Sequence, residues 1–256
     1  MKKGSTKQIL TVVLLLGFLV SSGVLVWRHL DDWRGARNYD EARTLAQLEP
    51  EVVPEEIPKT PEPDPNLHLL DQLDLAALQA VNDQVVGWLL IPGTDISYPV
   101  VQGEDNDYYL NHTWDGTRSS VGAIFLDCRN GSALKDFNTI LYGHKMNNDA
   151  MFGQLHQYKE QAFWAANPCL YLASAEGTRR YDIFACYETE TSATYSINFA
   201  DPAEKQAYLS QCLDQNWLDT GILPTPEDQI LTLSTCTGDG HTARWVVQAV
   251  WSAEKH

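Results

Sequence analysis

Ile230-Leu231-Thr232-Leu233-Ser234-Thr235-Cys236 runs into Thr237-Gly238-Asp239-Gly240, and Arg244-Trp245-Val246-Val247-Gln248-Ala249-Val250-Trp251 begins eight residues beyond the cysteine. Two stretches rich in β-branched and apolar residues on either side of a glycine-rich break read as neighbouring strands joined by a turn. The sulfur of Cys236 would then sit where a rigid strand opens into a loop, with Arg244 beside it at the start of the next strand. A free cysteine is ordinarily a small buried hydrophobe. That reading is kept for Cys128, Cys169, Cys186 and Cys212; disulfides among them stay open, and the odd total of five leaves at least one thiol unpaired.

Outward from this pair, short apolar segments separated by turn residues recur through the second half of the chain. Val85 to Ile91, Ile96 to Val101, Gly122 to Leu126, Thr139 to Tyr142, Cys169 to Leu172 and Tyr181 to Tyr187 join the two late strands. About eight strands suggest a closed β-barrel. Leu67 to Asn82 is expected to be helical, a second helix follows Asp149, and a third begins at Asp201-Pro202-Ala203-Glu204. There an acidic cap, a first-turn proline and a glutamate three residues on form a capping-box-like start. Leu209, Cys212, Leu213 and Trp217 would give that helix its apolar face. The fold class expected is mainly β, with peripheral helices around the barrel.

His144 stands in Leu141-Tyr142-Gly143-His144-Lys145, again at the end of an apolar strand where glycine lets the backbone turn. Imidazole is the natural acid and base for a thiol nucleophile. Arg244 supplies a permanent cation with five donors, suited to holding a carbonyl and stabilising a developing oxyanion. A thiol, an imidazole and a guanidinium at one place suit acyl transfer. The remaining six histidines read as surface or hydrogen-bonded residues. With reference values of about 8.5 for a free thiol and 6.5 for a free imidazole, a thiolate-imidazolium pair is a minor population near neutrality, so slow turnover is expected.

The chain's 256 residues, 44% hydrophobic and 20% charged, can bury one sizeable core. Its formal charge is −16, and leaving out residues 1–43, with seven basic and four acidic side chains, deepens this to −19. Nucleic acid and polyphosphate ligands are therefore poor partners. Residues 1–8 hold Lys2, Lys3 and Lys7, and residues 9–27, Ile9 to Trp27, are nineteen consecutive uncharged residues. Such a helix spans about 28 Å, close to a hydrocarbon core, and the positive-inside tendency puts the N-terminus in the cytoplasm and the rest outside the cell. A cleaved signal peptide would need a shorter apolar run and a better cleavage site than Ser21-Ser22-Gly23. Residues 28–66 form a juxtamembrane segment, with a short helix over 31–48, and a spacer, Glu49 to Asn66, that holds six of the twelve prolines. An extended acidic tether would hold residues 67–256 away from the lipid.

The motifs carry a family resemblance. Thr232-Leu233-Ser234-Thr235-Cys236 is similar to the TLxTC signature of sortases, with Arg244 at the downstream arginine and Tyr142-Gly143-His144 at the histidine motif. Gly87-Trp88, Ile91-Pro92-Gly93-Thr94, Tyr98-Pro99-Val100-Val101-Gln102, Asp105-Asn106-Asp107-Tyr108-Tyr109-Leu110 and Ile124-Phe125-Leu126-Asp127 resemble the class B branch in order and spacing. So does the helix near Asp201. The resemblance covers roughly residues 67 to 251. It implies an eight-stranded sortase-type β-barrel behind one transmembrane helix, on the outer face of a Gram-positive cell. It also implies a cysteine transpeptidase in which Cys236 cleaves a C-terminal sorting signal after threonine through a thioester. An amine of cell-wall peptide, or of a pilus subunit, would resolve that thioester. His144 would exchange protons with the two amines, and Arg244 would hold the carbonyl. Asn106, Tyr142, Tyr195, Ser234 and Thr235 are expected along the substrate groove. No metal or other cofactor is expected, since Glu104, Asp105 and Asp107 lack calcium-loop spacing. The competing reading is a non-catalytic, membrane-tethered binding or pilus-scaffold domain with Cys236 inert. A papain-like peptidase fits less well, because there the cysteine precedes the histidine and begins a helix.

Overall fold

The computed structural model describes residues 3–48, 64–236 and 242–252. Most of the proline-rich spacer and the glycine-rich turn after Cys236 lie outside these residues. Eight strands close into a barrel: β1 (Val85–Leu90), β2 (Ser97–Val101), β3 (Ile124–Leu126), β4 (Asn138–Tyr142), β5 (Cys169–Ser174), β6 (Gly177–Thr189), β7 (Ile230–Cys236) and β8 (Arg244–Trp251). Around the barrel their order is β1-β2-β3-β4-β7-β8-β6-β5. Closure leaves no unpaired sheet edge. Two of the pairings are parallel, β2 with β3 and β4 with β7. The second brings together strands almost ninety residues apart, with Asn138 opposite Ile230 and Tyr142 opposite Ser234.

Side chains alternate across the barrel wall, as period-two strands require. Leu231, Leu233, Val247 and Ala249 enter the main core with Trp88, Leu89 and Ile124. Ile230 and Val246 face a second cluster formed with Phe184, Tyr187, Tyr208, Leu209 and Cys212. Tyr208, Leu209 and Cys212 come from α5 (Pro202–Gln215), which starts as its sequence suggests: Asp201 accepts from Glu204 N at 3.0 Å, and Glu204 accepts from Ala200 N at 2.7 Å. Trp217 lies beyond this helix, 52% exposed and edge-on to Trp245, so it is not part of the helical apolar face.

Between the strand wall and α5 lies a buried polar network that the hydrophobic pattern does not reveal. Asn138 donates to Tyr208 Oη and Ser196 O, both at 2.9 Å, and accepts from Thr232 Oγ1 at 2.7 Å. Gln248 donates to Tyr208 Oη at 2.7 Å and to Thr232 Oγ1 at 3.0 Å, and accepts from Tyr187 Oη at 3.1 Å. Strands β4, β6, β7 and β8 are thereby tied to α5, with the polar atoms of Asn138 and Gln248 supplied with partners in place of lost water.

The helices before the barrel differ from the sequence reading in two ways. Leu67 to Asn82 is not one helix: α2 (Pro65–Asp71) ends, and Asp74 caps a new helix, α3 (Leu75–Val81), by accepting from Ala77 N at 2.9 Å. The segment after Asp149 is a 3-10 helix over Gly153–Lys159 followed by the short α4 (Gln161–Ala166). More consequentially, α1 (Lys3–Leu45) is continuous through the apolar run and the stretch read as a separate juxtamembrane helix. Val12 to Trp27 is apolar and exposed, and among the described residues α1 is long and apolar enough to cross a membrane. Tyr39, Ala42, Ala46 and Leu48 are instead buried in the barrel's main core. Asp64, near the end of the spacer, is docked too: it accepts from Tyr171 Oη and lies 3.7 Å from Arg180 Nη1. The proline-rich segment thus joins two points fixed on the same body.

Asn138→Ala removes one side chain's bonds to three other chain segments and strands buried hydroxyls. The expected cost is about 3 kcal/mol, read as a lowered denaturation midpoint of the full chain in detergent, whereas alanine at the exposed Leu223 should leave the midpoint nearly unchanged.

Candidate active site

Parallel register sets the geometry of the site. Tyr142 is opposite Ser234, and Gly143 N donates to Ser234 O at 3.2 Å, so β4 and β7 are still in step as they end. Two residues further along each chain stand His144 and Cys236, level with one another by continuation of that register. On the other side of β7, Cys236 is the direct cross-strand partner of Arg244. The three positions proposed for chemistry thus converge at one end of β4, β7 and β8, although the sequence separates the first from the others by about ninety residues.

His144 is held by its surroundings on several sides. Its Nε2 lies 2.7 Å from Leu110 O, and since a carbonyl can only accept, Nε2 carries the proton in this bond. Its backbone carbonyl accepts from Phe152 N at 2.9 Å. Gly122 adopts a left-handed backbone, φ +64°, and a β-carbon there would stand 2.8 Å from His144 Cδ2 and 2.8 Å from Tyr109 O. Glycine serves for two reasons here, the backbone conformation and the close approach of the imidazole. Gly143 is also enclosed, since a β-carbon would meet Ile124 Cδ1 at 2.5 Å.

Beside the three residues runs a connected polar wall. Tyr142 Oη donates to Asp127 Oδ2 at 2.9 Å, and Arg129 grips the same carboxylate with Nε at 2.8 Å and Nη2 at 2.7 Å. Arg129 Nη2 also donates to Tyr195 O at 3.1 Å, and Tyr195 Oη shares a 2.9 Å hydrogen bond with Ser234 Oγ. Burial alone would raise the carboxyl pKa of Asp127, but the Arg129 and Tyr142 hydrogen bonds outweigh it and hold the group below its ordinary range. Burial, with the neighbouring Asp127 carboxylate, pushes the Tyr142 phenol well above its own. Tyr142 therefore acts as a donor at physiological pH.

Among the expected groove residues, Tyr142, Tyr195 and Ser234 belong to this wall. Asn106 stands next to it, accepting from Cys128 N at 2.8 Å and so fixing the chain as it leaves β3. Thr235 is different. It is 3% exposed, buried in the barrel wall opposite Trp245. Asp127 and Arg129 were missed as site residues. Their one sequence signal is an acid and an arginine two residues apart where a wholly apolar strand ends, in a chain poor in basic residues. Cys128, Cys169, Cys186 and Cys212 are free thiols. Burial raises the pKa of Cys169, Cys186 and Cys212, in keeping with their reading as packing residues.

A sortase domain model matches residues 89–252. Sortase B of Listeria monocytogenes is 37% identical over 178 residues, covering 68% of this chain and 72% of that protein. Sortase B of Staphylococcus aureus is 29% identical over 230 residues, covering 90% and 87%. The crystal structure of sortase B from B. anthracis superposes with a TM-score of 0.74 at 30% identity, covering 88% of this chain and all of that one. With the closed eight-stranded barrel, these similarities define a cysteine transpeptidase, and the chain belongs to the sortase family. Within that family it is a class B sortase. The scaffold alternative is thereby set aside. Sortases act on proteins that bear a sorting signal and on an amine acceptor, and α1 is a candidate membrane anchor for this one.

Two outcomes follow from this geometry. Gly122→Ala should lower activity about tenfold or more by displacing the imidazole, visible as a fall in turnover without loss of the folded circular-dichroism signal. Because Asp127 titrates below an unfolded carboxylate, near 3.9, its stabilising contribution is present above that value and is lost as pH falls through the lower folded one. Melting measured across the acid range should show Asp127→Asn less stable than wild type at neutral pH, with the gap closing as the solution becomes strongly acidic.

Proposed function

We propose that Cys236, His144 and Arg244 carry the transpeptidation, acting on a C-terminal sorting signal cleaved after threonine. The observation that supports this most is the register of β4, β7 and β8, which gathers positions 144, 236 and 244 at one end of the sheet. Cys236 reacts as the thiolate and His144 as the imidazolium. The sulfur bonds to the threonine carbonyl carbon, and the resulting oxyanion is held by the Arg244 guanidinium. The imidazolium passes a proton to the amide nitrogen as the carbon–nitrogen bond breaks, leaving a thioester and a free C-terminal tail. With Nε2 engaged to Leu110 O, this proton exchange falls to Nδ1. An incoming amine then attacks the thioester, neutral His144 takes its proton, and the thiolate departs with both groups restored to their starting forms.

The amine comes from cell-wall peptide or from a pilus subunit. The helix passes outward from a cytoplasmic N-terminus, so the barrel works on the outer face of the membrane. Tyr142, Tyr195 and Ser234 shape the groove, with Asn106 contributing through the backbone segment it fixes.

Incubating the full chain in detergent with a library of peptides should give, by mass spectrometry, an acyl adduct on Cys236 whose mass identifies the cleaved signal. Cys236→Ala should abolish it, and an undiminished adduct in that variant would overturn the assignment. Two groups that must be in opposite protonation states give a bell-shaped dependence of rate on pH, so a monotonic profile from about pH 5 to 10 would count against the pair.

A further inference from the structure

The half of α1 that follows the apolar run lies against the segments that hold His144. Asp31 Oδ2 accepts from Ser120 N at 2.9 Å and from Ser120 Oγ at 2.5 Å. One turn later Gly35 meets Val121 so closely that a β-carbon there would be 2.6 Å from Val121 Cγ2. A further turn on, Tyr39, 3% exposed, donates from Oη to Gly122 O at 2.5 Å. Contacts at 31, 35 and 39 follow one face of the helix, as spacing of four residues requires. They track along consecutive residues 120, 121 and 122 of the turn that leads into β3, of which the last is the glycine packed against the imidazole.

Tyr39 also reaches the other support of His144. Its ring stands edge-on to Tyr98, with centroids 5.1 Å apart at 80°. Tyr98 Oη accepts from Met151 N at 3.1 Å, and the next residue, Phe152, donates its N–H to the His144 carbonyl. Met151 has a left-handed backbone, φ 55°, and forms an isolated bridge with Lys145. A single α1 side chain therefore braces both Gly122, against the imidazole, and the 145–152 loop, which fixes the His144 backbone. Packing alone would not require the hydroxyl, because a phenylalanine ring would fill the same space.

We propose that Tyr39 is a positioning residue for His144, so that the membrane-anchor helix completes the active site as well as tethering it. The proposal rests on the reading of His144 as the proton-transfer group. Its mechanical content is that the Tyr39 hydroxyl fixes the Gly122 carbonyl and thereby the wall against which the imidazole rests. The anchor and the site are one rigid unit.

The test uses the full chain in detergent micelles and compares Tyr39→Phe with Asn38→Ala. Asn38 is the neighbouring α1 residue and donates to Asp115 Oδ2 at 2.6 Å, a bond to none of the residues described above as holding His144. Two readouts are taken: the ring nitrogen resonances of His144, assigned by their loss in His144→Ala, and the rate of Cys236 acylation by one peptide drawn from the adduct screen. Tyr39→Phe should shift the His144 ring signals and slow acylation at saturating peptide roughly three- to tenfold, the scale of one lost hydrogen bond, with the half-saturating concentration within about twofold. Asn38→Ala should lower the melting temperature and leave both readouts unchanged. Unmoved His144 signals in Tyr39→Phe, or the same response in both variants, would overturn the proposal. Wild-type acylation by His144→Ala would instead overturn the catalytic reading of the histidine, while the ring signals of Tyr39→Phe would still decide whether the helix positions it.

Discussion

The β4–β7 pairing is the constraint on which the site depends. A parallel pair cannot be made by a tight turn, so the chain between these strands must leave, build β5, β6 and α5, and return in register. A slip of one residue would turn every side chain of β7 to the wrong face and put Cys236 out of step with His144. Asn138 and Thr232, joined across the pair and tied to Gln248, oppose such a slip, because only one register satisfies their bonds. The polar network under α5 is thus far from the chemistry in position and close to it in effect.

The wall formed by Tyr142, Asp127, Arg129, Tyr195 and Ser234 extends the same logic to the substrate side. Its members come from the segment just after β3, from β4, from β7 and from the 3-10 turn at Ser192–Tyr195, and the Tyr142–Asp127, Arg129–Tyr195 and Tyr195–Ser234 bonds tie these together. A bidentate arginine on a buried carboxylate is directional as well as strong. The paired charges leave the tyrosine phenol protonated and aimed, and they fix the chain on which Asn106 and Tyr195 lean.

Much of this was legible in the sequence because it is encoded locally. Alternation of apolar residues and glycine-rich breaks located the strands, and Cys236, His144 and Arg244 stood out because reactive residue types occupy strand ends. The capping pattern at Asp201 placed α5 correctly. What escaped notice depends on contacts between distant segments. Asn138 and Gln248 look like ordinary strand residues until β4, β8 and α5 are assembled. Gly122 read only as the first residue of a strand until the imidazole is placed beside it. The Asp127–Arg129 pair gains meaning only when Tyr142 and Tyr195 meet it. Composition also misled in one respect: the prolines and acids of 49–66 suggested a standoff, whereas the chain before them and Asp64 near their end are docked on the barrel.

Where α1 crosses a membrane, that docking governs how far the barrel stands from the lipid. Only a few residues, about 6 Å of helix rise, separate Trp27, at the end of the apolar run, from Asp31, the first anchor-helix residue to grip the barrel. A helix unbroken from the apolar run to the barrel contacts would then set both height and tilt. Inserting a single residue into α1 near Arg28 would turn the barrel by about 100° about the helix axis relative to the apolar run.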